Sequence, residues 1–329
     1  MSMRGGTVYL DSALAPLAAW LGRSDVTDIF INQPGEVWVE AMDGAINRHS
    51  APELTPATLL LLARQIAAQS AQGINREHPL LAASLPTGER VQIVLPPATR
   101  GEIAIAIRKQ VVSDIALEAY RGAEAAPARP QTAQPQSAAA LDPVDLLREA
   151  VTARKNILIS GGTSSGKTTL LNALVREIAL NERLILIEDT AEVVVHHPNS
   201  IGLLAARGSL GEADVMPEDL LIAALRMRPD RIILGELRGR EAATFLRAVN
   251  TGHPGSLTTI HADSPARALD QLALLVMQTG IGLGWNETVR YIERSIDLVV
   301  QVGRGSAGRG IVGVLDMNNR HEVTTSGAA

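Results

Sequence analysis

Residues 156–174 read NILISGGTSSGKTTLLNAL. An apolar run of strand length ends at Ser160, glycines follow, and apolar residues at helical spacing resume from Lys167. Between the two, Gly161, Gly166, Lys167 and Thr168 complete the pattern G-x-x-x-x-G-K-[ST]. The chemistry calls for these residue types in this order. Glycines let the backbone curl until successive N–H groups converge on phosphate oxygens at a helix N-terminus. Gly161, Gly162, Thr163, Ser164, Ser165 and Gly166 form that cradle. Lys167 is placed for the β- and γ-phosphates, Thr168 for Mg²⁺ and Thr169 for the α-phosphate. A glycine turn with no ligand is the competing reading, and the strand–loop–helix context speaks against it.

Downstream the same alternation continues. Strand-like runs at 184–188, 231–235, 256–261 and 298–302 are interleaved with helical patterns at 167–180, 217–227, 240–250, 266–278 and 287–295. Short apolar strands separated by helices predict a parallel sheet covered on both faces, an α/β domain. Residues 302–317, with glycines clustered over 303–310, read as a terminal hairpin.

In such a sheet, ligands gather at the carboxyl ends of the strands. A phosphate cradle also needs a group to orient water and groups to stabilise charge. Glu236 ends the strand RIILGE, whose usual aspartate is missing, and is the candidate water-orienting base. The run LILIEDTAE sets Glu188, Asp189 and Glu192 at another strand end. Glu188 comes first among them for Mg²⁺, through a water, or for the attacking water, because it closes the strand; a solvated acidic turn is the alternative. His261 ends SLTTIHA and is placed to hydrogen-bond a γ-phosphate, against the plainer reading of a structural histidine. His253 is a weaker candidate, and His196–His197 reads as loop.

Upstream, 26–32 and 37–40 alternate as paired strands around the turn Gln33–Glu36. Residues 56–72 carry helical spacing up to Gly73, and 90–95 and 103–108 are strand-like around Pro96–Pro97. This predicts a smaller α+β domain with a mainly antiparallel sheet over 1–112. Asp11–Ser12 reads as the cap of a short helix. The stretch GAEAAPARPQTAQPQSAAAL (122–141) has no periodic apolar face and reads as a flexible linker, taken as 113–141 before the α/β domain at 142–329.

Composition narrows the function classes. Thirty Lys and Arg against 35 Asp and Glu leave a net charge of −5, so no overall basic field draws the chain to nucleic acid, and 2% aromatics leave little for base stacking. The absence of cysteine removes disulfides, thiolate metal sites and cysteine nucleophiles, and suits a reducing compartment. No run approaches the ~20 apolar residues of a membrane span. A soluble, cytoplasmic protein is the expectation.

Taken in order, the motifs resemble the type II/type IV secretion ATPase superfamily, and within it most resemble the hexameric traffic ATPases of type IV secretion and conjugation. The resemblance runs through GGTSSGKTT, LILIEDTAE, LRMRPDRIILGELRGRE and TGHPGSLTTIHA, with DVTDIFINQPGEVWVE and LPTGERVQIVLPP…IAIRK matching the amino-terminal domain. It implies a RecA-like P-loop domain after the α+β domain, ATP with Mg²⁺ bound between domains, and a homo-hexameric ring. It further implies that Arg90 and Arg108, and Arg228 in RMRPD, answer the phosphates. The partners implied are inner-membrane secretion or pilus components, with peripheral association at the cytoplasmic face of a bacterial inner membrane. No four-cysteine element follows the His box, which argues against the type II pseudopilus branch. The long linker leaves domain swapping between protomers open. ATP hydrolysis driving secretion or pilus assembly is the leading expectation. The rivals are a pilus-retraction or tight-adherence motor, a nucleic-acid translocase, and a nucleotide-sensing scaffold.

Overall fold

The structure, a computed structural model, describes residues 5–109, 115–121, 142–206, 214–305, 308–317 and 321–324. Apart from 115–121, the expected linker at 113–141 lies outside the described residues. The chain forms two compact units, Met1–Val112 with Ala206–Met216, and Ser113–Ala205 with Pro217–Ala329.

The first unit runs α1 (Gly5–Leu14), α2 (Ala18–Leu21), β1 (Val26–Ile31), β2 (Gly35–Ala41), β3 (Ile46–Ala51), α3 (Pro56–Gln69), β4 (Leu80–Ser84), β5 (Arg90–Val94) and β6 (Ala104–Arg108). Its sheet has the order β3-β2-β1-β6-β5-β4, with every neighbouring pair antiparallel. Alternate residues Ile29, Ile31, Val37, Val39, Ile93, Ile105 and Ile107 join Leu10, Leu59, Leu62 and Ile66 of the helices in one core. Thr55 caps α3 by accepting from Thr58 N at 3.2 Å, with Pro56 at its first position. The helix expected to start at Asp11–Ser12 begins instead at Gly5, and both residues fall in its last turn. Leu10 and Ala13, three apart, form its buried side. Strand β3 carries no apolar alternation in the sequence, being a sheet edge, INRHSA, with only Ala51 buried.

The second unit comprises α4 (Pro143–Thr152), β7 (Ile157–Ser160), α5 (Lys167–Arg176), β8 (Leu184–Glu188), β9 (Ser200–Leu204), α6 (Pro217–Leu225), β10 (Arg231–Leu234) and α7 (Glu241–Asn250). It continues with β11 (Leu257–Ile260), α8 (Pro265–Met277), α9 (Trp285–Ser295), β12 (Leu298–Gly305), β13 (Gly308–Asp316) and β14 (His321–Thr324). The order is β14-β13-β12-β7-β11-β10-β8-β9, parallel from β12 to β9 and antiparallel over the β12–β13 hairpin and β14. The central strands β7, β8, β10 and β11 are buried at every position, mostly by apolar residues, because both faces are covered. Leu158, Ile185, Ile187, Ile232 and Leu234 pack with Phe245, Leu272 and Ile292 on one face. Ile157, Ile159, Leu184, Leu186 and Ile233 pack with Leu147, Leu170 and Leu174 on the other. The α/β and antiparallel sheets are those the two sequence patterns predict.

Candidate active site

Strand β7 sits between β11 and β12, and residue pairing places Ile260, Ser160 and Gln301 side by side at the carboxyl ends. Leu234 of β10 pairs with Ile187 of β8 at the same edge. The residues that follow these strand ends therefore converge: the P-loop after β7, His261 after β11, Glu236 after β10, and Glu188 closing β8.

The loop begins at Gly161 under tight steric demand. A Cβ there would stand 2.4 Å from Ser165 Oγ and 2.7 Å from Val302 O. Ser164 (φ +59°) and Gly166 (φ +99°) take left-handed conformations, and this alternation with right-handed residues curls backbone amides into an anion-binding concavity. Lys167 opens α5 with its side chain buried. Its Nζ donates to Gly161 O at 2.9 Å and to Gly162 O at 3.0 Å, and lies 3.2 Å from His261 Nδ1. On the His261 side of the loop a hollow of ≈ 410 Å³ opens, bounded by Gly162, Thr163 and His261 and by Arg267 and Gln271 of α8.

The carboxylates divide the work. Glu236 Oε2 accepts from Arg238 Nη2 at 2.6 Å, and Arg238 Nη1 stands 3.6 Å from Asp189 Oδ2. Glu236 Oε1 is buried 2.8 Å from His261 Nε2, yet the ring N–H is not aimed at it and the oxygen has no directed hydrogen bond. Thr259 Oγ1 donates to Gly235 O at 2.8 Å and so braces the residue before Glu236. Partial burial, with Lys167 and Arg238 nearby, holds the His261 imidazole below its ordinary value, while Glu236 opposes the shift. Glu188 is buried and turned to the backbone, its Oε1 accepting from Glu192 N and Val193 N at 2.8 Å each. This brace presents Glu192, whose Oε2 accepts from Thr168 Oγ1 at 3.0 Å. Asn172 of α5 secures the same loop by accepting from Val194 N at 3.0 Å. The threonine hydroxyl thus donates to Glu192, whose backbone Glu188 holds.

The family profile for type II/IV secretion system proteins matches residues 12–305. The chain belongs to this family. It is 43% identical over 313 residues to a type IV secretion system protein PtlH homologue of Bordetella bronchiseptica, covering 92% of each chain. It is 38% identical over 314 residues to the type IV secretion system protein VirB11 of Bartonella quintana, covering 88% of each. The crystal structure of the pilus retraction motor PilT with bound ADP shares the fold, with TM-score 0.59 and 21% identity over 97% of this chain and 83% of that one.

This type II/IV secretion family member is a P-loop ATPase. In its first unit, Arg90 and Arg108 face each other as a direct cross-strand pair on β5 and β6. On its other side Arg108 pairs with Asp28 of β1, which adds an opposite charge to the row. Arg228 lies elsewhere. It precedes β10, whereas the P-loop and Glu236 follow parallel strands, so Arg228 (φ +56°, exposed) sits at the opposite edge of the sheet from its own chain's P-loop. His197 is buried against Ile178 O at 3.0 Å and His253 Nδ1 lies 3.0 Å from Pro229 O; neither is near the P-loop edge.

That opposite edge holds an anchor the motif reading passed over. Arg231 is 1% exposed and clasps Glu182 in a two-pronged pair, Nε to Oε2 and Nη2 to Oε1 at 2.8 Å each, while Nη1 donates to Val151 O at 2.8 Å. Gly255 (φ +80°) makes room for it, since a Cβ there would stand 2.7 Å from Arg231 Nη1. Part of TGHPGS thus serves packing.

Proposed function

We propose that this ATPase couples Mg²⁺-dependent ATP hydrolysis at the P-loop to type IV secretion, working as a ring of six copies attached peripherally to the inner face of a bacterial inner membrane. The observation that carries the reading is the convergence of Lys167, His261 and Glu236 around one phosphate-sized cradle. Backbone amides of 162–166 grip the phosphates, and Lys167 exchanges the carbonyls of Gly161 and Gly162 for the β- and γ-phosphate oxygens. Glu236 Oε1, lacking a directed hydrogen bond of its own, accepts one from the attacking water and orients it. His261 reads the γ-phosphate from the neighbouring strand end.

The site suits Mg²⁺. The Thr168 hydroxyl and the Glu192 carboxylate are hard oxygen donors beside the place where phosphate oxygens would lie, and the small acidic complement leaves room for retained waters. When bound, the ion neutralises charge on the β- and γ-phosphates. Thr168 would hold it directly and Glu192 through water.

Support for secretion over pilus retraction is the far greater sequence identity with the secretion relatives. Among the described residues no helix is long and apolar enough to cross a membrane, in keeping with peripheral attachment. Lys167→Ala in the full chain tests the reading: ATP turnover should vanish, and normal turnover would overturn it. Loss of secretion with pili unaffected, in cells carrying Lys167→Ala, assigns the coupling; the reverse phenotype assigns the pilus reading.

A further inference from the structure

Strand β12 flanks the P-loop, and one of its side chains makes contacts that nucleotide binding does not call on. Gln301 pairs with Ser160, which pairs on its other side with Ile260. The next residues along β7 and β11 are Gly161 and His261, so this row is the last common footing before the loop and the histidine diverge. Gln301 is 7% exposed. Its Oε1 accepts from Ser160 Oγ, and its Nε2 donates to Ala262 O at 3.2 Å and Val302 O at 3.4 Å. A hydroxyl at one end and two carbonyls at the other settle which way the amide points. Val302 extends the support, since its carbonyl is what a Cβ at Gly161 would strike.

We propose that Gln301 is a positioning residue for ATP hydrolysis. Through Ser160 it holds the start of the P-loop and through Ala262 O it holds the backbone of His261, so it sets the separation of Lys167 and His261 without touching substrate. Side chains buried one layer behind reacting groups commonly fix them in this way, and a misplacement of about 1 Å at such a site costs up to about 10²-fold in rate. The inference rests on the hydrolytic reading above.

The test uses the full chain with Gln301→Met and Gln301→Glu, reading kcat, KM and, apart from turnover, ADP affinity by calorimetry. Gln301→Met keeps length and apolar packing but makes none of the three hydrogen bonds. Its kcat should fall about tenfold with ADP affinity within about threefold. Gln301→Glu sets a carboxylate against two carbonyls, and protonation restores the donor to Ala262 O. Its kcat relative to wild type should therefore rise between about pH 8 and about pH 6, while that of the Met variant stays flat. His261, the titrating neighbour, with Lys167, Glu236 and Arg238 around it, keeps its surroundings in Gln301→Met but gains a nearby carboxylate in Gln301→Glu, so the Glu ratio is also taken in a His261→Gln background, where the rise should persist. Wild-type kcat in Gln301→Met, or a loss of ADP affinity as large as its loss of kcat, overturns the proposal. Should Gln301→Met fail to fold, a pH-independent ratio for Gln301→Glu does the same. A wild type that binds ADP and does not hydrolyse ATP would overturn the hydrolytic reading, and this inference with it.

Discussion

Lys167 Nζ lies 3.2 Å from His261 Nδ1, and His261 Nε2 lies 2.8 Å from Glu236 Oε1, so one imidazole bridges the phosphate-binding lysine and the carboxylate across the cleft. An ammonium can donate to Nδ1 only while the ring is neutral with its proton on Nε2. Partial burial, then Lys167 and Arg238, depress the His261 pKa below 6.5 against the pull of Glu236, and so keep the ring neutral near pH 7. Protonation on acidification would turn the Lys167 contact into repulsion. The pH profile of kcat/KM should accordingly show an acid limb below the ordinary histidine value, and His261→Gln should flatten that limb while lowering kcat at alkaline pH by about tenfold. An acid limb unchanged in the variant removes His261 from the mechanism.

Glu236→Gln should separate binding from chemistry. The amide keeps the size of the side chain and loses the charge that orients water, so kcat is expected to drop by about 10²- to 10³-fold. Affinity for ATP should stay within a few-fold, because the cradle and Lys167 are untouched. Single-turnover measurements with labelled ATP read both quantities, and undiminished turnover would refute the assignment.

The sequence exposes local features of this site better than distant ones. Gly161, Gly166, Lys167 and Thr168 fall within one loop and the helix turn that follows it, and Glu236 and His261 each end an apolar run, so motif and strand length together placed them. Arg231 and Glu182 are 49 residues apart, and Gln301 and Ser160 are 141 apart; no periodicity links such pairs until the sheet order is known. The choice between Glu188 and Glu192 turned on which carboxylate the loop aims at Thr168, a matter of backbone path. For Arg228 a signal was present: it precedes its strand whereas Glu236 follows one, and strand direction in a parallel sheet separates the two ends.

Glu192 should govern Mg²⁺ dependence. Its Oε2 accepts from Thr168 Oγ1, and removing its charge weakens the attraction for a hydrated cation beside that hydroxyl. Glu192→Gln is expected to raise the Mg²⁺ concentration for half-maximal hydrolysis severalfold with kcat at saturating Mg²⁺ reduced much less. Glu188→Gln retains an oxygen to accept from Glu192 N and Val193 N, so its Mg²⁺ requirement should move less than that of Glu192→Gln. The two Mg²⁺ titrations run side by side decide it; equal shifts would leave Glu192 no special place.

The strongest stability test lies at the other edge of the sheet. Arg231 and Glu182 are both nearly excluded from solvent, and deleting Arg231 breaks the two-pronged pair and leaves Glu182 only the more exposed Arg154, 3.0 Å away, so the loss should fall below the ~3–5 kcal/mol of a wholly uncompensated buried charge. Arg231→Met should lower the melting temperature of the second unit by roughly 2–4 °C per kcal/mol. The Arg231 hydrogen bonds depress the Glu182 pKa below 4.5, so the stability they confer is complete above about pH 4.5 and fades as pH falls through the lower folded value. The gap between wild type and Arg231→Met should therefore narrow in acid. Gly255→Ala puts a methyl 2.7 Å from Arg231 Nη1 at a φ of +80°, and it should destabilise on both counts. In the double variant the clash with the guanidinium is gone, while the backbone strain and the 3.0 Å approach to Arg154 Cα remain, so the combined loss should be smaller than the sum of the singles. Thermal melts of the four proteins at neutral pH measure the coupling, and strict additivity would mean that Gly255 is a glycine for reasons other than Arg231.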